Sequence, residues 1–564
     1  MPSQVRGLVR RPRTLRNLGL AGVWLVIGGY GVLTSWVAPL TLRVAYDPSL
    51  QYMLTSLAWY RGTTYAYIDH PGTPVEVLGT ILLLLSHPFI RHASELISFH
   101  LSQPQYFLSV AQTVVVGASL VVCALLARQS VAVTHWSLAL AALAISGLYF
   151  GIHPLAFGSL AKWSHESFIF PAGTGSSLGL LALVRRPGPP AWRWVLVLGF
   201  GTGVLTSIQL YFAAWVLGTA VALSMAARLH GGSVGRALLH GAAVVGMAVL
   251  GFIVSTLPIR DRYGDLVAWV WTLTMHQGTY GTGPQGVATP DVLVANALAE
   301  FGQAPTLTGA VVGTAAVLMW RLIVVDGTSR RDSARWSASL GLTCQSLLIV
   351  LLAAKHPGVK YLLPLAATLP VLLAVALGQL RPTRCGAAVA AAVGVLGMAA
   401  LAGSFWAAVA AHLSLAQVVT RGDEETARML ARAAANRGTT TPSAHVLWTY
   451  GTTSACYALW FGDETAGQPF NRDIGRLCPR DLALNVWTAR VVAGDVNTPL
   501  ADFPGWDLAV IPDGITRERP AALPRGALIA SSVPSLGYDN LIFVLNTDPA
   551  AGTPPRGASA CCGV

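Results

Sequence analysis

The sequence predicts an α-helical polytopic membrane protein of about eleven transmembrane helices with outer juxtamembrane helices, followed by a small α/β domain outside the membrane. Composition is the first reason. Of 564 residues, 53% are hydrophobic and 11% charged, and mean hydropathy is +0.56. Soluble domains carry about a quarter charged residues. The second reason is a succession of apolar runs long enough to span a bilayer, and the third is a change of composition after residue 412. These divide the chain into a membrane domain (1–412) and an extracytoplasmic domain (413–564).

The start, "MPSQVRGLVRRPRTLRNLGLAGVW", sets several arginines before the first apolar run with no small-residue cleavage site after it. It reads as an uncleaved anchor with its N-terminus in the cytoplasm. The predicted spans are 18–40, 105–127, 134–150, 167–184, 193–208, 209–228, 237–258, 305–325, 337–354, 361–380 and 386–412. The run 74–90 contains Glu76 and ends in "SHPFIRH". If it does not cross, the short Arg-rich connections near 128, 185–193, 228–236, 321–335 and 381–384 all face inward, as the positive-inside bias requires. The run is therefore read as a helix in or dipping into the outer leaflet. The net charge of +12 is then membrane topology rather than a nucleic-acid surface.

The first outer loop (41–104) holds "DPSLQYMLTSLAWYRG", with Leu50, Met53, Leu54 and Leu57 at helical spacing, which suits an amphipathic helix on the membrane surface. The outer loop 259–304, with "WVWTLTMHQGTYGTGPQG", reads as an ordered cap or a mobile gate. Beyond 412, a helix is expected to start near Asp423, and "HVLWTYG", "DLAVIPDG" and "LIFVL" read as buried strands. Cys456 and Cys478, both exterior, could pair as a disulfide. There is no CxxC and no metal-ligand spacing.

Ionisable groups near a bilayer are costly and mark candidate sites. Four clusters share the outer face: Asp47 in "YDPS"; Asp69 and His70 in "YIDHPGTPVE"; His153, Lys162, His165 and Glu166 in "GIHPLAFGSLAKWSHES"; and Lys355, His356, Lys360 and Tyr361 in "AKHPGVKYLLP". The three lysines of the chain, among 37 basic residues, all fall in the last two. Each cluster has a plainer reading too. Asp47-Pro48 is a natural helix start, Asp69-His70 a solvated turn, His165-Glu166 the cap of the next span, and the lysines snorkelling anchors. Trp269, Trp271 and Tyr280 also suit an interfacial belt. Together, a carboxylate that accepts a hydroxyl proton and cations that hold a departing phosphate suggest glycosyl transfer from a lipid-phosphate sugar.

An Asp after the first span, a "Y…HP" motif about twenty residues later and "YLLP" before a late span resemble the membrane glycosyltransferases of the GT-C class. The nearest branch is the one holding protein O-mannosyltransferases and the lipid A aminoarabinose transferases. The resemblance covers roughly residues 15–410 and is most specific in the first loop. It implies that Asp47 is the essential first-loop acid, the base or acceptor-positioning group. His70 would match the His of the family's "HPP" element, with Gly72 replacing the second Pro. Glu166 would be the second-loop acid, and Lys355 and Lys360, with Tyr361 beside them, would contact the donor phosphate. Asp69, His165, Trp269 and His276 are expected to bind substrate. Metal-binding branches show two acids together in the first loop; Asp47 is followed by Pro48, so no cofactor is expected and a divalent metal is not favoured.

The expected activity is inverting transfer of a hexosyl or pentosyl group from a polyprenyl-phosphate-sugar donor to a glycan, lipid or protein acceptor, at the outer face of the cytoplasmic membrane. The expected partners are this donor, the acceptor and membrane lipids. Two alternatives stay open. A transporter or lipid flippase would place polar groups near the midplane within repeated halves, whereas this chain gathers them at one face and shows no repeat. A non-catalytic scaffold would tolerate replacement of Asp47, His70 and Lys360.

Overall fold

The computed structural model describes residues 3–44, 46–63, 68, 72–86, 88, 92–133, 154–186, 188–278, 281, 283–324, 330–356, 358–377, 384–436, 445–449, 452–485, 490–493, 496–499, 508–512, 527–530, 534–535 and 538–544. The chain forms two compact units. One comprises Met1–Val37, Ala66–Leu82 and Ser109–Ala410; the other comprises Ala38–Tyr65, Leu83–Leu108 and Ala411–Val564.

The first unit is a helical bundle. The run 134–150 lies outside the described residues; in the other runs predicted to span, the described residues are helical apart from 38–40 and 209. Among the described residues 8 helices are long and apolar enough to cross a membrane, and this is a multi-pass membrane protein. Shorter apolar helices cover Thr73–Ser86, Trp192–Ile208 and Leu307–Ala316. The helix Thr73–Ser86 has 14 residues, about 21 Å, well short of a bilayer's hydrocarbon thickness. Glu76, in its first turn, is fully buried.

Small residues let these helices approach closely, which matters because lipid supplies no hydrophobic drive for helices to associate. Gly199 and Gly203, four apart on Trp192–Ile208, lie against the backbone of Val234–Thr256. A side chain at Gly203 would run into the carbonyl of Ala248, and one at Gly199 would come within 2.9 Å of the Val244 carbonyl. Gly251 meets the Phe200 carbonyl in return. Gly218 and Gly341 face each other similarly between Ala213–Leu229 and Arg330–Lys355, where Gln345 Nε2 donates to Thr368 Oγ1 (2.7 Å). Trp215 Nε1 reaches the Gly173 carbonyl (2.9 Å) in a π-helical stretch, Ile169–Thr174.

The second unit contains a mixed sheet. Its strands among the described residues are β1 (Val446–Thr449), β2 (Asp481–Asn485), β3 (Arg490–Ala493), β4 (Val496–Pro499), β5 (Leu508–Pro512), β6 (Ala527–Ala530), β7 (Pro534–Ser535) and β8 (Tyr538–Val544). The order is β4-β3-β2-β1-β5-β8-β6, with β7 on β8. β1 pairs in parallel with β2 and β5, and antiparallel strands complete both sides. The three strands expected from sequence are β1, β5 and β8. Helices Ala455–Thr465 and Asn471–Leu477 connect β1 to β2, and a disulfide joins Cys456 to Cys478 (Cα–Cα 5.8 Å).

Two expectations are corrected here. No helix starts near Asp423: a single helix runs Arg384–Asn436, passing through Gly422 at the modest cost of a helical glycine, about 1 kcal/mol. Asp423 caps nothing; its carboxylate pairs with Arg43 and accepts from Thr453 Oγ1. Nor is the first-loop helix, Tyr46–Tyr60, a surface helix. Leu50, Met53, Leu54 and Leu57 are fully buried, but so are Ser49, Thr55 and Ser56 on its other faces. It packs against Ala455–Thr465, where a Cβ at Gly462 would touch Leu50 and Leu54. The apolar spacing was real, but its partner is the α/β unit's own helix rather than lipid.

Candidate functional site

In the bundle unit, the helix Arg330–Lys355 ends in a short turn that enters the 3-10 helix Val359–Leu362 and then the helix Leu363–Leu377. The change of direction comes from "KHPG": Pro cannot continue a helix, and at Gly358 a side chain would press on the Tyr361 ring at 3.2 Å. Four of the singled-out residues, Lys355, His356, Lys360 and Tyr361, are thereby gathered on one bend.

Lys355, His356 and Tyr361 of this bend line a cavity of about 430 Å³. Its walls are mostly apolar: Leu210, Leu273, Leu293, Leu351 and Leu352, with Lys355, His356 and Tyr361 as the polar margin. Tyr361 is buried and stacks on Tyr211, with centroids 5.3 Å apart and planes at 10°. Lys360 Nζ lies 5.1 Å from the Tyr361 ring centroid, a cation–π distance. Lys355 Nζ donates to the His276 carbonyl, which leaves an ammonium two further donors. Burial and the neighbouring Lys355 charge push the His356 imidazole below its ordinary range, so the cationic character of this margin comes from the lysines.

A second group adjoins the first. Lys162 and Glu166 form an ion pair at 3.6 Å, with Glu166 16% exposed. His165, between them in sequence, is buried and lies within the field of both Lys360 and Lys162. The segment is tied down by Gln112 Nε2 to the Ala161 carbonyl (2.9 Å) and by Ser167 Oγ to the Lys162 carbonyl (2.7 Å). Lys162 and Lys360, nearly two hundred residues apart in sequence, thus both act electrostatically on His165. Lys355 at the cavity and Lys360 beside Tyr361 can hold an anionic headgroup, and Lys360 also acts on His165, which is flanked in sequence by the Lys162–Glu166 pair.

The loop 259–304 supplies much of the surround. It folds as helix Tyr263–Met275, an antiparallel bridge between His276 and Gln285, and helix Pro290–Gln303. Val270, Leu273 and Thr274 line the cavity; Trp269, half-buried, does not, and His276 contributes its carbonyl to Lys355 while its Nδ1 sits 3.2 Å from the Gly283 carbonyl. The sequence reading missed Asn296 and Glu300. Asn296 Nδ2 donates to the Ala354 carbonyl (2.9 Å), and Glu300 accepts from the Gly358 N–H. Their signal was present: two polar residues four apart in the otherwise apolar "VLVANALAEFG". Burial pushes the Glu300 carboxyl up, against the opposing pull of the Gly358 N–H.

The remaining candidates fall elsewhere. Asp47 is the second residue of helix Tyr46–Tyr60 in the other unit; its side chain is outside the described residues. Asp69, His70 and His153 lie outside them altogether.

No protein-family model matches the chain, and no curated protein does. Among solved structures, the chain is similar to ArnT from Cupriavidus metallidurans bound to undecaprenyl phosphate: 12% identity, 94% of this chain and 99% of that one covered, TM-score 0.45. It is similar to the same protein in the apo state at 12% identity, with 96% and 98% covered and a TM-score of 0.44. A likeness of this degree fixes neither chemistry nor substrate.

Proposed function

We propose that this chain is a membrane glycosyltransferase that takes its sugar from a polyprenyl-phosphate-sugar donor at the outer face of the cytoplasmic membrane. One observation carries the reading: a mostly apolar cavity of about 430 Å³ that Lys355, His356 and Tyr361 help to line, with Lys360 beside the Tyr361 ring. A lipid phosphate needs this combination of an oily hollow for isoprenoid carbon and cations at its margin for the phosphate.

In the reaction, an acceptor hydroxyl oxygen attacks the sugar's anomeric carbon, and the bond from that carbon to the donor phosphate oxygen breaks. The polyprenyl phosphate leaves with the electron pair, and a carboxylate takes the hydroxyl proton. Lys355 and Lys360 stabilise the charge growing on the leaving phosphate. Attack opposite the leaving group inverts the anomeric centre. Asp47 is the proposed base, a role that stands on the sequence. Glu166, paired with Lys162, is proposed to orient the acceptor, with His165 as a neutral hydrogen-bonding neighbour. The Cys456–Cys478 disulfide supports an extracytoplasmic location for the C-terminal unit, since such bonds persist in oxidising compartments.

The test is release of decaprenyl phosphate from a panel of decaprenyl-phosphate hexoses and pentoses by the purified, detergent-solubilised protein, with envelope extract as acceptor. Asp47→Ala should lose turnover while retaining donor binding. Lys360→Ala should raise the donor KM by about tenfold or more, the scale of one charge-assisted contact. An unchanged donor titration in Lys360→Ala overturns the phosphate role, and full turnover in Asp47→Ala overturns the base.

A further inference from the structure

Within the bend that presents Lys355, Lys360 and Tyr361, His356 N–H reaches the Ala353 carbonyl at 2.9 Å, and Tyr361 N–H reaches the Gly358 carbonyl at 2.8 Å. Two further backbone ties come from another element, the helix Pro290–Gln303. Asn296 holds the Ala354 carbonyl on the entering side of the bend, and Glu300 holds the Gly358 N–H on the leaving side. Residues 296 and 300 stand one above the other on a helix, and Leu293, on the same face, lines the cavity. The opposite face, with Val294 and Leu298, is exposed. One helix face therefore walls the cavity and grips both ends of the lysine bend.

Glu300 is the stronger of the two grips. It is 2% exposed, and it bonds the backbone at the residue where the chain enters the 3-10 helix carrying Lys360 and Tyr361. Gly358 is in turn packed against the Tyr361 ring, so a shift of that backbone moves the ring that stacks on Tyr211 and the lysine above it.

We propose that Glu300 is a positioning residue for the donor phosphate: by holding the Gly358 N–H it sets where Lys360 and Tyr361 stand. The inference rests on the reading of this site as a lipid-phosphate site. Glu300 touches no substrate. What matters is an acceptor oxygen in that place rather than a negative charge, so Gln should serve and Ala should not.

The experiment titrates the full-length, detergent-solubilised protein with decaprenyl phosphate by intrinsic fluorescence and measures donor KM and kcat in parallel. Glu300→Ala should weaken decaprenyl phosphate binding and raise donor KM by about tenfold, the consequence of freeing a buried N–H, with kcat at saturating donor much less changed. Glu300→Gln should restore both to within about threefold of wild type, less than the worth of a single hydrogen bond. A merely structural role would lower stability and kcat together without rescue by Gln. Wild-type affinity in Glu300→Ala, or equal damage in Gln and Ala, overturns the proposal. If Glu300→Ala does not fold, Asn296→Ala must weaken binding in the same direction, and unchanged affinity there overturns it. Failure of the wild-type protein to bind decaprenyl phosphate refutes instead the reading of the site on which the inference rests.

Discussion

Two segments that carry proposed functional residues are held by opposite means. The bend 354–361, in the bundle unit, is gripped by a few polar bonds: Asn296 to Ala354, Glu300 to Gly358, and Lys355 to His276. The helix Tyr46–Tyr60, in the α/β unit, is held by burial. Its residues from Ser49 to Ala58 are buried, and Leu50 and Leu54 press on Gly462. Charges enter at its two ends, where Arg43 pairs with Asp423 and Arg61 with Asp473. The difference follows the surroundings. Where lipid is the solvent, apolar contact adds little and hydrogen bonds supply direction; where water is the solvent, removing apolar area from it is the main source of hold.

This contrast can be broken in three ways, taken from the largest expected effect. The first concerns Asp463, next to Gly462 on the helix that covers Tyr46–Tyr60. Its carboxyl is fully buried, with Oδ1 accepting from the Phe470 N–H (3.0 Å). Burial, helped by Asp473 and opposed by that N–H, pushes it from 3.8 up to about 7. Between these values the unfolded chain ionises and the folded one does not. Stability of this unit is therefore full below about pH 4, declines as pH rises to about 7 and is level beyond, by roughly 4 kcal/mol in all. Asp463→Asn, which keeps the acceptor, should reduce that slope in denaturant melts, with Glu464 and Asp481, whose carboxyls burial also pushes up, supplying the remainder. An unchanged slope removes Asp463 as a source.

The second is the disulfide. It closes a loop with sequence separation 22, a size whose crosslink is worth about 3 kcal/mol. Cys456→Ser with Cys478→Ser should speed hydrogen exchange in Ala455–Thr465 and Tyr46–Tyr60, with the bend 354–361 as the reference. Equal loosening of the bend would erase the distinction. The third is Gly462→Leu. The added side chain starts 2.8 Å from Leu54 Cδ1 and 3.1 Å from Leu50 Cβ, both fully buried, so the overpacking costs about 1–3 kcal/mol, read in the same exchange experiment at Tyr46–Tyr60. No change there would mean that burial against this helix is not what holds it.

Much of this was legible in the sequence, for identifiable reasons. Long apolar runs announce spans because backbone in lipid must satisfy itself as helix, and 74–90 could be demoted because the arginines around the other loops agree on one topology. β1, β5 and β8 were visible as apolar runs, whereas β2 ("DLALN"), β3 ("RVVA") and β4 ("VNTP") were not singled out. The joining of 162–166 to 354–361 was anticipated only as convergence on one face; the field at His165 makes it specific. What stayed hidden depends on tertiary partners. Helical spacing in "DPSLQYMLTSLAWYRG" shows an apolar face but not whether lipid or protein covers it. Gly422 and Asp423 look like a helix boundary until the ion pair with Arg43 is known. Asn296 and Glu300 looked like ordinary polar residues because their partners are backbone atoms, which leave no trace in side-chain patterns.

The placing of Asn296 and Glu300 on one helical face makes that short stretch intolerant of any change in length. Each inserted or deleted residue turns the remainder of the helix by about 100° around its axis. An insertion between 296 and 300 would leave Asn296 on its carbonyl and carry the carboxylate away from the Gly358 amide. Loops elsewhere in 259–304 can lengthen or shorten, but between these two positions the spacing itself is part of the mechanism.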